Sequence, residues 1–455
     1  MIKVICVFVL IFTLIVTLGA CDMGNETTDV EPTYYDLVIK IRGEGSTNPE
    51  PGIYEYERDE MVEIEAEPEE GYKFENWHGS VQEPEKANTS IIMEDNKNVS
   101  AIFVEKGDEE DKLLASVPSL EYIDDSTEIK AEKIYWHKAV REEGFNFPYL
   151  VYFGEGWEDK EHILVQGNNS ISSSDDWIHH IERGIEKAES STYARDLGKV
   201  KLLPIFPRAR YDQPEGIKED SMANLQSLDR QTFFVSEEED SYRIDLQLKA
   251  MIEHFIGIMK TNLGVEKSDD VLMFGISSSG NFTSRFALLH PQRVKAAVGG
   301  AVNGLPLMPI KEYNGIELTY PNGISDLEKL NLSYDEQDTR EVDILLAMGE
   351  EDENDTLPYH DTYDDQQRAE ILKAYHPEIY EKVDDPHNHE ELVEKLDGED
   401  MLERWYEQEE IFKKEGYDNV ITLTTSMGHE TFGYGTTYRE KVLNFFGKDG
   451  NIGDF

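Results

Sequence analysis

The chain has 455 residues, of which 43 are Lys or Arg and 95 are Asp or Glu, for a formal charge of −52. That balance excludes nucleic acid as a partner and a basic membrane-binding surface, since both need clustered cations. The length allows about three units of roughly 150 residues with an ample core, and the acidic surface suits high salt, where self-repulsion is screened, or an alkaline medium equally well.

Met1, Ile2 and Lys3 precede an apolar run to Ala20. A short positive start and an apolar middle predict a signal peptide over 1–20, and the competing reading is a retained membrane helix. Leu18-Gly19-Ala20-Cys21 resembles the lipobox of bacterial lipoproteins. The resemblance implies a lipidated Cys21 as the first mature residue and an extracytoplasmic chain anchored by lipid to the bacterial cell membrane. Cys6, the other of the two cysteines, would leave with the signal, so no intramolecular disulfide is expected. Residues 21–33 are polar and aperiodic and predict a tether.

From Tyr34 the texture alternates. Leu37, Ile39 and Ile41 interleave with Val38, Lys40 and Arg42, and Met61 to Glu67 places acids on one face. Gly43-Glu44-Gly45, Pro51-Gly52 and Glu70-Gly71 supply turns, so 34–105 predicts a small antiparallel β module. Gly43-Glu44-Gly45, Pro49-Glu50-Pro51-Gly52, Ala66-Glu67-Pro68, Gly71-Tyr72-Lys73-Phe74-Glu75-Asn76-Trp77 and Asn98 to Phe103 resemble the divergent internalin-type B repeat of bacterial surface proteins. The resemblance implies a spacer or adhesive unit, present in a single copy. Tyr72, Phe74 and Trp77 read as the core of that module, with a binding patch as the alternative.

Residues 106–134 are acidic and weakly periodic, a linker or a first edge. From Tyr135 apolar runs alternate with helical stretches. Phe147–Tyr152, Ile163–Gln166, Val200–Pro207, Val271–Phe274, Val294–Val298, Val342–Gly349 and Val420–Thr424 read as strands. Trp177–Ala188, the face Ile244, Leu248, Met251, Ile252, Phe255 and Met259, and Tyr438–Phe446 read as helices. This predicts an α/β fold, a doubly wound and mostly parallel sheet over 135–447, behind a small N-terminal all-β module. Insertions near 303–340 and 359–395 follow strand ends and read as a lid, with surface decoration as the alternative.

The centre of the pattern is Val271-Leu272-Met273-Phe274-Gly275-Ile276-Ser277-Ser278-Ser279-Gly280, a strand entering a small-x-Ser-x-small turn before a helix over Asn281–Leu289. Small residues two before and two after the serine permit a tight elbow that lifts the Ser277 hydroxyl and aims a helix N-terminus at it. A serine hydroxyl needs a base, and a histidine base needs a carboxylate to orient it. Among twelve histidines, chain order selects His429, in a loop beyond the last strand, after an acid beyond the strand ending at Gly349. Asp352 and Asp355 both stand there.

Gly275 to Gly280, Gly349-Glu350-Glu351-Asp352 and Gly428-His429 resemble the α/β-hydrolase superfamily, nearest its polyhydroxybutyrate-depolymerase-like and prolyl-oligopeptidase-like members, over about two-thirds of the chain. The resemblance implies Asp352, three residues past the glycine, as the acid. It also implies an oxyanion hole from the backbone N–H of Ser278 and of Asn168 or Asn169, in a loop where Gln166 stands in place of a common His. The remaining histidines have blander readings. His387 and His389 mark a solvated helix start, His179 and His180 lie at a helix start beside Asp175 and Asp176, and His290 ends the nucleophile helix. No metal and no cofactor is expected. The functional expectation is a surface-anchored serine hydrolase of small or polymeric carboxylic esters. The alternatives are a serine peptidase and a non-catalytic surface adhesion protein. Oligomeric state is not legible.

Overall fold

The computed structural model describes residues 33–69, 71–105, 108–124, 127–170, 177–190, 192–208, 225–237, 239–302, 306–355, 357, 363, 365–383, 398–429 and 435–448. Cys21, the tether, Asp175, Asp176, His387 and His389 lie outside these residues. The chain divides into two compact units, the first ending at Glu105.

The first unit is two small sheets. Tyr34–Arg42 pairs antiparallel with Gly52–Glu57 and parallel with Lys97–Glu105, which pairs antiparallel with Tyr72–His78. Met61–Pro68 lies between Gly45–Asn48 and Thr89–Ile92, antiparallel to both. The period-2 pattern decides what is buried: Leu37, Ile39, Val62, Ile64 and Ala66 face a shared core, while Glu63 and Glu67 stay exposed. Trp77 is 2% exposed, donates Nε1–H to the Ala87 carbonyl at 3.1 Å, and packs on Phe74. Of the two readings, Trp77 and Phe74 follow the core one. Gly43, at φ +85°, brings its Cα against the Phe103 carbonyl, where a side chain would collide.

The second unit is built on a nine-stranded sheet. Its strands in chain order are β1 (Leu120–Tyr122), β2 (Ile134–His137), β3 (Tyr149–Phe153), β4 (Leu164–Gln166), β5 (Val200–Pro204), β6 (Val271–Ile276), β7 (Val294–Gly300), β8 (Asp343–Gly349) and β9 (Val420–Thr425). Their spatial order is β1-β2-β3-β5-β4-β6-β7-β8-β9. Only β3 runs against its neighbours. Of the linker and first-edge readings of 106–134, the described residues follow the second: the segment belongs to this unit and carries helix α1 (Asp108–Ser116) and the outer strand β1, parallel to β2. Its few apolar residues suffice because an edge strand needs only one partner.

Alternation along the central strands splits the core in two. Val165, Leu202, Met273, Ala297 and Leu346 face helices α4 (Ile244–Asn262) and α5 (Ser278–Leu289), together with α6 (Asp365–Tyr375) and α7 (Gly398–Lys414). Leu164, Leu203, Leu272, Val298 and Leu345 face α2 (Trp177–Glu189), α3 (Thr192–Leu197) and α8 (Thr436–Gly447). Both faces of the sheet are covered, which is why these strands read as continuous apolar runs. The α4 face expected from the sequence, Ile244 through Met259, is buried throughout.

The two insertions join the α4 side. Leu307, Met308, Leu318, Tyr320, Leu327 and Leu330 belong to that core, as do Ile371 and Leu372. The Glu370 carboxylate accepts from Thr319 N–H at 2.9 Å, and Asn322 Nδ2 donates to the Gln367 carbonyl at 3.1 Å. The described parts of both insertions thus pack into the core; 303–305, 358–362, 364 and 384–395 lie outside the described residues. Strand order, one reversed strand and helices on both faces together make this the α/β-hydrolase fold expected from the sequence.

Candidate active site

Ser277 sits between β6 and α5 at φ 60°, ψ −130°. A non-glycine residue there costs on the order of 1–3 kcal/mol and persists only where its surroundings hold it. Here the hold is visible. Ser277 N–H donates to the Gly300 carbonyl of β7 at 2.9 Å, and its own carbonyl accepts from Gly280 and Asn281 N–H at 2.8 and 3.0 Å. Ser279 Oγ accepts from Ile276 N–H and donates to the Ile276 carbonyl, at 3.0 and 2.9 Å, closing the turn on itself. The small residues have steric reasons: a Cβ on Gly275 would fall on the Ser279 carbonyl oxygen, and one on Gly280 would press on the Gly300 oxygen. Ser278 opens α5, so the positive end of the helix macrodipole lies beside the nucleophile position.

The parallel register of β8 and β9 brings the other two groups to the same edge. Met348 faces Thr424 and Gly349 faces Thr425. Beyond the strands the two loops stay laced, with Glu350 N–H on the Thr425 carbonyl at 2.7 Å and Glu351 N–H on the Met427 carbonyl at 3.2 Å. Gly349 permits this, since a Cβ there would meet the Met427 oxygen. The result is His429 with Nδ1 3.0 Å from Asp352 Oδ2 and Nε2 3.2 Å from Ser277 Oγ. Asp352 is 1% exposed, and its second oxygen accepts the Asn354 N–H at 3.0 Å. A carboxylate acceptor requires the proton on Nδ1, which leaves Nε2 to accept from the serine.

The competing acid is engaged elsewhere. Asp355 accepts from Arg404 Nη2 at 2.6 Å and from Leu357 N–H at 2.9 Å. Its three-residue offset from Asp352 sends it away from the imidazole and into a buried ion pair.

The loop after β4 closes the site. Gly167 N–H donates to the Phe274 carbonyl at 3.1 Å, and Gly167 lies so close to Ser279 that a Cβ would clash. Asn169 Nδ2 donates to the Ile276 carbonyl at 3.0 Å, pinning the loop to the residue before Ser277. That anchoring role was not legible in the sequence, where Asn169 stood only as a backbone donor. Asn168 is 3% exposed, and the two backbone N–H groups of Asn168 and Asn169 stand in the loop that borders the elbow. Gln166, in place of the common His, accepts from Lys201 Nζ at 3.1 Å. That ammonium also donates to the Lys187 carbonyl at 2.6 Å, and burial pushes its pKa well below the ordinary lysine range.

Other histidines among the described residues are held by different partners. His290 Nε2 meets Asp245 Oδ2 at 2.9 Å. Burial would raise the Asp245 carboxyl, but hydrogen bonds from Arg243 and His290 outweigh it and hold the group down to about 2. His180 is fully buried with Nδ1 2.7 Å from Ser170 Oγ. Among the described residues, no group of three or more His, Cys, Asp or Glu is placed to hold a metal ion.

Comparison with known proteins gives one family match and several structural likenesses. Residues 35–107 match the model of the divergent InlB B-repeat domain. Among curated proteins none matches the chain. Among solved structures, poly(aspartic acid) hydrolase-1 from Sphingomonas sp. KT-1 is 16% identical, aligning over 66% of this chain and 95% of its own at a TM-score of 0.37. LpqC, a poly(3-hydroxybutyrate) depolymerase from Bordetella parapertussis, is 12% identical over 71% and 90%, at 0.38. An S-formylglutathione hydrolase from Agrobacterium tumefaciens is 15% identical over 72% and 99%, at 0.36. These are likenesses only, and the fold of the second unit stands on its sheet order and elbow. The chain thus carries a divergent InlB B-repeat domain at residues 35–107, followed by a unit with the α/β-hydrolase fold.

Proposed function

We propose that the second unit is a serine hydrolase that cleaves carboxylic esters through an acyl-enzyme. The observation that carries this reading is the Asp352–His429–Ser277 relay, with its 3.0 and 3.2 Å contacts at the carboxyl edge of the sheet. Ser277 Oγ attacks the ester carbonyl carbon as His429 Nε2 takes its proton. Asp352 holds the imidazole in the accepting tautomer and stabilises the imidazolium. The oxyanion is received by the Ser278 N–H and by that of Asn168 or Asn169. Collapse expels the alcohol, which takes the proton from His429. Water, activated by the same imidazole, then attacks the acyl carbon and returns Ser277. Small and polymeric esters fit the depolymerase-like side of the resemblance, and its prolyl-oligopeptidase-like side makes a serine peptidase the nearest rival.

A fluorophosphonate probe tests the reading, with a panel of short esters, polyesters, feruloyl esters and prolyl peptides. The expected result is one label, on Ser277, lost in Ser277→Ala, and turnover of esters ahead of prolyl peptides. Absence of label on folded protein would sink the enzyme reading, and preference for prolyl peptides would replace the esterase with a peptidase.

We further infer that the mature protein is a lipoprotein displayed outside the cell membrane, from the lipobox ending at Cys21. Among the described residues no helix is long and apolar enough to cross a membrane. Metabolic labelling with a fatty acid should tag the wild type and spare Cys21→Ala. A tag that survives the substitution would remove the anchor from the proposal.

A further inference from the structure

The acid and histidine loops leave neighbouring strands, yet a strand does not fix where a loop points once it has left the sheet. Two adjacent residues of α7 grip one side of the site each. Arg404 Nη2 donates to Asp355 Oδ2 at 2.6 Å, three residues beyond the triad carboxylate. Its Nη1 lies 3.0 Å from His376 Nε2, at the end of α6. A guanidinium can only donate, so that imidazole nitrogen accepts and His376 is neutral; burial and then the Arg404 charge push its pKa down to about 4. Trp405 Nε1–H donates to Thr424 Oγ1 at 3.1 Å, on β9, the strand that leads to His429. Arg404 and Trp405 are each 1% exposed.

A buried ion pair is weak evidence for stability, because desolvation offsets most of the attraction. Its best attested use is to fix one arrangement among several of similar energy, and a buried indole N–H with a single acceptor does the same. Arg404 reaches Asp355 and His376 together in this setting of the acid loop, so moving the loop would break the pairing. With Trp405 next to it, the same turn of helix also holds β9.

We propose that α7 is a clamp that sets the Asp352–His429 hydrogen bond, with Arg404 and Trp405 as positioning residues. Its catalytic consequence rests on the serine-hydrolase reading, and its geometric consequence does not.

The test combines proton NMR and kinetics on the full chain. The imidazole N–H shared by His429 and Asp352 should give a downfield resonance, assigned by its loss in His429→Ala. Trp405→Phe removes one hydrogen bond and keeps an aromatic ring, with some loss of buried volume. Arg404→Met with Asp355→Leu removes the ion pair without stranding a charge. Arg404→Lys keeps the charge but gives up the fork. The expected result is an upfield, broadened resonance in Trp405→Phe and in the double variant. In the latter kcat should fall on the order of tenfold or more, with KM little changed, because misplacement of a reacting group acts on the transition state. Arg404→Lys should recover part of both signals. Unchanged resonance and kcat in folded variants overturn the clamp. If the double variant does not fold, Trp405→Phe and Arg404→Lys decide by the same two readouts. An inert wild type would refute the hydrolase reading, while the resonance would still decide the clamp.

Discussion

Asp352→Asn is expected to lower kcat on a good ester by about 10⁴, with KM and folding near wild type. The amide occupies the volume of the carboxylate but favours the imidazole tautomer that cannot accept the serine proton. It also withdraws the charge that stabilises the imidazolium. Asp355→Asn should give the opposite profile. It weakens the partner of a guanidinium that is 1% exposed. Stability should therefore fall by up to about 3–5 kcal/mol, the range for breaking a buried pair. The folded fraction should keep most of its triad chemistry, losing roughly tenfold through the displaced loop. Urea unfolding and initial rates on the two purified variants check the pair. Near wild-type rates for Asp352→Asn, with Asp355→Asn crippled at full stability, would move the triad acid by three residues.

Gly275→Val is expected to cost the most stability of any single substitution at the elbow. Its branched side chain would be driven into the Ser279 carbonyl and the Gly280 N–H, both backbone groups that cannot swing aside. Overpacking of this kind costs about 3 kcal/mol or more, and a turn that opens to make room would pull on the Ser277 N–H bond to the Gly300 carbonyl. The control is Gly257→Ala, in the middle of α4, where nothing lies within 4 Å of the added methyl. That change should be neutral or stabilising by about 0.5–1 kcal/mol, from helix propensity alone. Thermal unfolding of the two variants measures the contrast. Equal melting temperatures would show that the elbow tolerates what its geometry forbids.

Much of this was legible in the chain because the signals are local. The elbow is read from Gly275, Ser277 and Ser279, since a strained turn constrains residues two apart. The strands are read from apolar runs, since both faces are covered. The choice of Asp352 over Asp355 is different in kind. Both follow Gly349, and only Arg404, far along the chain on α7, shows that Asp355 is occupied. The stretch around Leu120–Tyr122 leaves a linker and a first edge both open in the sequence, because three residues carry too little periodicity to separate from acidic neighbours. Burial of Leu318 and Ile371 inside the insertions was not legible, because it depends on contacts that no local pattern encodes. The side-chain anchor at Asn169 was likewise hidden, since a polar residue in a loop names no partner.

The register of β8 against β9, and of β6 against β7, has a consequence for how this unit can vary. Ser277, Asp352 and His429 each follow the end of a strand, and the strands are locked to one another along their length. The chain between Gly300 and Asp343 can lengthen at its exposed turns without shifting those ends. Closing a longer excursion is cheap, about 0.6 kcal/mol per doubling of a flexible loop. Growth there leaves the strand ends before Ser277 and His429 in register, whereas the segment that carries Asp352, Asp355, Arg404 and Trp405 has no such freedom, because its side chains are tied to one another and to β9.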